Sequence, residues 1–325
     1  MKKTLMLLAG AVILLAVVLL LDKKRDASRL SSEYAFDTTS KADVNALKVV
    51  LLKDTVSLQK SGAQWSVDPD GFPADTGKVS KGLGYLVGLQ TKVIVSTSAE
   101  QSRLAEYGLD TTQAKHIEWK DGKGSHAIVL GKTSGIDYGS TYWKFEDKPE
   151  VYSTPGNFTW EISARPPDWK DRILFNVDVK NLKSVSVDWR DSTDAMQHYK
   201  VAVVNDSTFK LAEPSEAPAV HGVAQAIVSQ CAQLSIDDFV ANNDTNVSRI
   251  RLDTPMVAIH MEFKDGTSRD VKGGRTFETF VYVQHPARKD IVKLSSWRFD
   301  PFKKKVSDLM VVAGPAPAVS PNPAK

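Results

Sequence analysis

His116-Ile117-Glu118-Trp119-Lys120-Asp121-Gly122 recurs as His260-Met261-Glu262-Phe263-Lys264-Asp265-Gly266. Five of the seven positions are identical, and the other two exchange one apolar side chain for another. In each stretch the apolar residues alternate with polar ones. That period of two describes a strand with one buried face, and the Asp-Gly that follows is a hairpin turn. Upstream, Leu109-Asp110-Thr111 matches Leu252-Asp253-Thr254. The offsets are 143 and 144 residues, so the register barely drifts.

The match extends outward. Ala46-Leu47-Lys48-Val49-Val50 corresponds to Asn181-Leu182-Lys183-Ser184-Val185. Trp65 with Pro69 corresponds to Phe209 with Pro214, and Thr141-Tyr142 to Thr279-Phe280. Helical spacing of apolar residues marks 76–90 and 220–234 as one helix per copy. A period this long is a globular half, not a solenoid unit. The expected fold is α+β: two tandem copies of an antiparallel-sheet domain with one main helix each, preceded by a single transmembrane helix. The copies are placed at 44–175 and 176–310. The paired prolines of Arg165–Arg172 mark the link between them.

Residues 4–21 form an uncharged apolar run about 27 Å long as a helix, close to the thickness of a bilayer's hydrocarbon core. Residues 1–25 are expected to be an uncleaved membrane anchor, since no small-residue cleavage site follows the run cleanly. Basic residues flank both ends, so the positive-inside rule is nearly balanced. Long downstream domains translocate largely regardless of charge, which favours a periplasmic body on a single-pass protein of a bacterial inner membrane. Residues 26–43 read as a polar tether, and 311–325 as a Pro/Ala-rich disordered tail.

The chain carries a net charge of +3, of which residues 1–25 supply +4. A body near neutrality, without a basic stripe, excludes nucleic acid as the expected partner. Cys231 is the single cysteine, so an internal disulfide and a Cys-x-x-Cys metal or redox site are both excluded. No phosphate-loop, Gly-x-Ser-x-Gly or His-Glu-x-x-His motif is present. The best metal candidates are His116 and Glu118 with their copies His260 and Glu262, because alternate residues share a strand face. Each strand offers two ligands where a closed site needs about four. A solvated face of paired His and Glu is the simpler reading. Trp65 and Trp119 match Phe209 and Phe263 in the other copy, which marks core positions rather than a sugar platform. Trp143 and Trp169 have no such explanation from the sequence. No catalytic site and no cofactor are expected.

The Trp65/Pro69 pair, the helix after it, Tyr107-Gly108-Leu109-Asp110, the Asp121-Gly122 hairpin, Gly131, and the Tyr142 strand leading to Val151-Tyr152 resemble the family known as domain of unknown function 4340. The resemblance covers about residues 44–302. It implies an N-terminal membrane helix and a tandem domain. Some relatives lie beside, or are fused to, parts of ATP-driven transport systems, including those associated with gliding motility. The second copy departs from the pattern: Arg251 stands where Gly108 stands, and Gly273-Gly274 replaces Gly131. The expected function is a non-enzymatic scaffold or accessory subunit of an ABC-type transport complex, partnered by the membrane and by a membrane protein such as a permease. The alternative is an envelope hydrolase whose site is assembled from residues distant in sequence.

Overall fold

A computed structural model describes residues 34–36, 39–135, 139–205, 207–240, 244–288 and 290–311. The run expected to be an anchor lies outside these residues, as does the expected tail beyond Val311. None of the described helices is long and apolar enough to cross a membrane. The chain divides into two units between Asp171 and Arg172.

In the first unit, β1 (Ala46–Leu51), β2 (Asp54–Ser61), β3 (Gln64–Val67) and β4 (Phe72–Pro73) form a meander. Helix α1 (Thr76–Val87) then carries the chain to the opposite edge, where β5 (Val93–Ser96) lies. A short helix, α2 (Gln101–Glu106), precedes β6 (Lys115–Asp121), β7 (Gly124–Thr133), β8 (Ser140–Phe145) and β9 (Val151–Pro155), which run back to that edge. The sheet order is β4-β3-β2-β1-β6-β7-β8-β9-β5, with neighbouring strands antiparallel.

After β10 (Ile173–Asn176), the second unit repeats the plan. It comprises β11 (Leu182–Arg190), β12 (Met196–Asn205), β13 (Thr208–Glu213), β14 (Ala217–Pro218), helix α3 (His221–Gln230), β15 (Gln233–Ser235), β16 (Asp238–Phe239), β17 (Val257–Phe263), β18 (Ser268–Phe277), β19 (Phe280–Gln284) and β20 (Ile291–Ser295). A last turn of helix, α4 (Val306–Leu309), closes it. The order β14-β13-β12-β11-β17-β18-β19-β20-β16 repeats the first sheet strand for strand. The structure is thus mainly antiparallel sheet with few helices, arranged as two nine-stranded sheets of one topology.

The buried face of each sheet packs against its longest helix. Asp75 caps α1 by accepting from the Lys78 N–H at 3.0 Å, and Val79, Leu83 and Leu86 face inward. Leu47, Val49, Val56, Leu58, Trp65, Trp119, Ile128 and Trp143 complete that core. In α3, Ala224, Ile227 and Val228 are buried, and Cys231 follows them fully buried. Burial pushes the Cys231 thiol pKa upward and leaves it a small packing side chain.

Equivalent positions follow from the registers. Leu47 pairs with Trp119 as Leu182 pairs with Phe263. The Trp65 carbonyl accepts from the Ala74 N–H as the Phe209 carbonyl does from the Ala219 N–H. The Trp169 carbonyl accepts from the Asp75 N–H as the Leu309 carbonyl does from the Val220 N–H, both at 2.8 Å. Two matches read from the sequence slip. A bulge between Leu182 and Ser184 pairs Val185, not Ser184, with Met261, as Val49 pairs with Ile117. The second slip concerns β8 and β19. The two strands bring Thr141-Tyr142 onto Val281-Tyr282, not Thr279-Phe280, because the hairpin joining β18 to β19 is shorter than the one joining β7 to β8.

Two segments read as connectors belong to the first unit's fold. In the expected tether, Phe36 is 7% exposed and packs edge-on to Trp119 at 4.6 Å between centroids, and Tyr34 bridges to Gln90. Their counterpart is β10, paired with β15 in the second unit. In the expected link, Pro166–Asp168 forms one 3-10 turn that delivers Trp169 into the core, fully buried. Composition marked the first stretch as polar and paired prolines marked the second as a break, but the buried Phe36 and Trp169 fix them to the core.

Candidate functional site

Strand alternation sets His116 and Glu118 on the face opposite Ile117 and Trp119. His116 Nδ1 lies 3.2 Å from Glu146 Oε1, and Lys48 Nζ lies 3.8 Å from Glu118. In the second unit, His260 Nδ1 lies 2.7 Å from Asp270 Oδ1, its direct cross-strand neighbour, and its Nε2 is 3.8 Å from Glu262. Glu262 accepts from Ser184 Oγ at 2.8 Å and from Lys200 Nζ at 3.3 Å, which hold its carboxyl below the usual range. Each candidate pair is therefore engaged by neighbouring strands, and the two pairs differ in their partners. Among the described residues, no group of three or more His, Cys, Asp or Glu is placed to hold a metal ion.

A further histidine, not singled out by the sequence, ties three strands together. His198 Nε2 lies 2.8 Å from Glu213 and its Nδ1 2.7 Å from Asp188. The Glu213 hydrogen bond is the main cause of its raised pKa, with Asp188 adding to it. Both ring nitrogens are occupied, so it serves as a strand clasp and offers no free base.

The first Asp-Gly hairpin holds a buried carboxylate. Asp121 accepts from the Lys123 N–H at 2.7 Å, the Gly124 N–H at 3.0 Å and Thr39 Oγ1 at 3.1 Å, with His126 Nε2 at 2.9 Å. The Lys123 amide is the largest of the influences that take its pKa down to about 2. In the second hairpin, Asp265 is exposed and caps its own turn through Thr267. The Asp121 cluster is a turn fastening: the acid is kept ionised, and its acceptor sites are taken by donors.

A concavity of the second unit brings several arginines together. It measures about 590 Å3 and is lined by Arg190, Arg251, Arg275, Thr254, Thr276, Met256, Phe277 and Asp194. Arg190 reaches Asp194 at 3.7 Å. Arg249 stacks over Phe277, 5.3 Å from the ring centroid. Two strand-edge contacts place Arg251 and Arg275. The Arg275 N–H donates to the Ile250 carbonyl at 2.7 Å, as the Lys132 N–H donates to Tyr107 at 2.9 Å in the first unit. Arg251 therefore takes the place of Gly108, and it keeps that glycine's left-handed backbone, with φ of 54° against 67°. For a residue with a Cβ this costs about 1–2 kcal/mol. The sequence signal was the Gly108-to-Arg251 exchange; the convergence of Arg190 and Arg275 on it was invisible without the sheet register.

The remaining aromatic residues divide cleanly. Trp143 and Trp169 are fully buried, so the two tryptophans the sequence left unexplained are core residues. Trp160 and Trp297 are 76% and 59% exposed, one in each unit. A family model described as a domain of unknown function (DUF4340) matches residues 40–208. No curated protein matches the chain.

Proposed function

The chain belongs to the DUF4340 family, and from that premise we propose that it is a non-enzymatic, membrane-anchored envelope protein acting as a scaffold or accessory subunit of an ABC-type transport complex. The observation that supports this most is how the duplicated positions are used. Leu47/Leu182, Trp65/Phe209, Trp119/Phe263 and Trp169/Leu309 are all buried packing positions. The duplicated part of the chain therefore preserves a fold, while the titratable pairs that recur with it, His116/His260 and Glu118/Glu262, have different partners in the two copies. His126, His198 and His260 are each held against a carboxylate by strand or turn contacts, which suits a structural use of these side chains.

The apolar run 4–21 supplies the anchor in this reading, with the body in the periplasm. Anchoring raises the body's effective concentration toward other membrane proteins without any new contact. The solvent-facing Trp160 and Trp297 suit docking, since tryptophan is enriched among the residues that dominate interface energetics.

Affinity capture of the full-length protein from detergent-solubilised membranes tests the proposal. A membrane partner, foremost a permease, should be retained, and removal of residues 1–25 should weaken that retention. A purified body that hydrolyses peptidoglycan, ester or phosphoester substrates, and loses that activity on one Asp, Glu, His or Ser substitution, would establish the hydrolase alternative instead.

A further inference from the structure

We infer that the arginine-lined cavity of the second unit binds a phosphate group carried on a small organic moiety. Three arginines, Arg190, Arg251 and Arg275, line one concavity, against a single acidic lining residue. That carboxylate, Asp194, is 80% exposed and reaches Arg190 at 3.7 Å. Neither Arg251 nor Arg275 has a hydrogen bond or ion pair from its guanidinium to another group among the described residues. Two arginines lining one space without such a partner among the described residues suit a doubly charged anion, and the planar guanidinium fork matches phosphate oxygens in pairs.

The backbone supplies a second, independent observation. Arg251 occupies a left-handed position that the first unit fills with Gly108. Glycine adopts that conformation without steric cost and arginine does not, so the side chain is present against the preference of its own backbone. At the Arg275 position the first unit carries Lys132, a point charge instead of a fork. The site is therefore a specialisation of one copy and is not inherited from the duplicated fold.

The cavity's size and lining define the rest of the ligand. About 590 Å3 is more than a bare phosphate fills. Met256 and Phe277 give an apolar wall for an attached organic group, and the Thr254 and Thr276 hydroxyls can donate to its oxygens. The phosphate can come from a soluble phosphate ester or from a lipid headgroup.

Calorimetric titration of the full-length protein in neutral detergent distinguishes these sources. The soluble probe is glycerol phosphate; the lipid probe is the same micelle doped with phosphatidic acid, against one doped with phosphatidylcholine. Binding of either phosphate probe, weakened at least tenfold by Arg251→Gly and by Arg275→Gln and reduced by added salt, supports the site. Affinity confined to phosphatidic acid assigns a headgroup; affinity for glycerol phosphate without preference among micelles assigns a soluble ester. Arg251→Gly restores the first unit's residue at a position that favours glycine, so its melting curve should not fall, and loss of binding cannot be ascribed to unfolding. Absence of binding to both probes, or equal binding by wild type and both variants, overturns the inference.

Discussion

Trp119 and Phe263 fill one place in two copies of a sheet, and the difference between them is informative. Trp119 is 1% exposed, edge-on to Phe36 and stacked on His126 at 5.2 Å. Its Nε1 is buried with no hydrogen-bond partner among the described residues. Trp119→Ala should therefore cost about 3–5 kcal/mol in a denaturant melt, through lost burial and a cavity. Trp119→Phe should cost less than about 1.5 kcal/mol, because the smaller ring also removes an orphan donor. His116→Ala, on the exposed face, should stay within about 0.5 kcal/mol. Equal losses for Trp119→Ala and His116→Ala would mean that the strand register is wrong by one residue. Asp121 adds a pH signature. Its folded pKa of about 2 lies below the ordinary 3.8, so its contribution is complete above pH 3.8 and is lost as pH falls through about 2. The stability gap between wild type and Asp121→Asn should accordingly narrow over that window; a gap independent of pH from 5 to 2 would contradict the assignment. Alternation alone made the inward face of Trp119 legible in the sequence. The partners of Asp121 were not, because Thr39 lies 82 residues away in a stretch that composition marks as tether.

At the scale of elements, the two sheets agree where a backbone passes too close for a side chain. A Cβ on Gly131 would stand 2.3 Å from the Tyr107 carbonyl oxygen, and one on Gly274 would stand 2.2 Å from that of Ile250. These carbonyls accept from Lys132 and Arg275, the first bonds that tie the loop before β6 or β17 to the next strand. Gly131→Ala and Gly274→Ala should each destabilise by about 1–3 kcal/mol, since backbone has to move. Thermal melts would test this, and a neutral result at both sites would refute the proposed equivalence. Helix positions and the β6 and β17 hairpins could be read from periodicity and turn chemistry because both signals are local. The alignment of β8 with β19 could not, since a hairpin of different length shifts every later residue without changing its pattern. The edge segments β10 and Tyr34–Phe36 were equally hidden: each is too short to show a period.

At the scale of the whole chain, two copies of one nine-stranded plan follow an apolar run of bilayer length. The copies diverge where chemistry can be gained without disturbing the core. Buried positions such as Trp65/Phe209 and Trp119/Phe263 exchange one apolar residue for another, whereas the arginine cavity gathers residues at strand ends and loops, where substitution leaves packing intact. The sequence disclosed the duplication and one member of that cavity, Arg251. It could not show the convergence, because Arg190, Arg251 and Arg275 meet only through the pairing of β11, β17 and β18. All of the proposed roles place this body beside a membrane, so retention of the apolar run is the central claim. Intact-mass measurement on protein extracted from the membrane fraction tests it most directly. The account predicts a mass that includes residues 1–25; a mature N-terminus near residue 28 would contradict it.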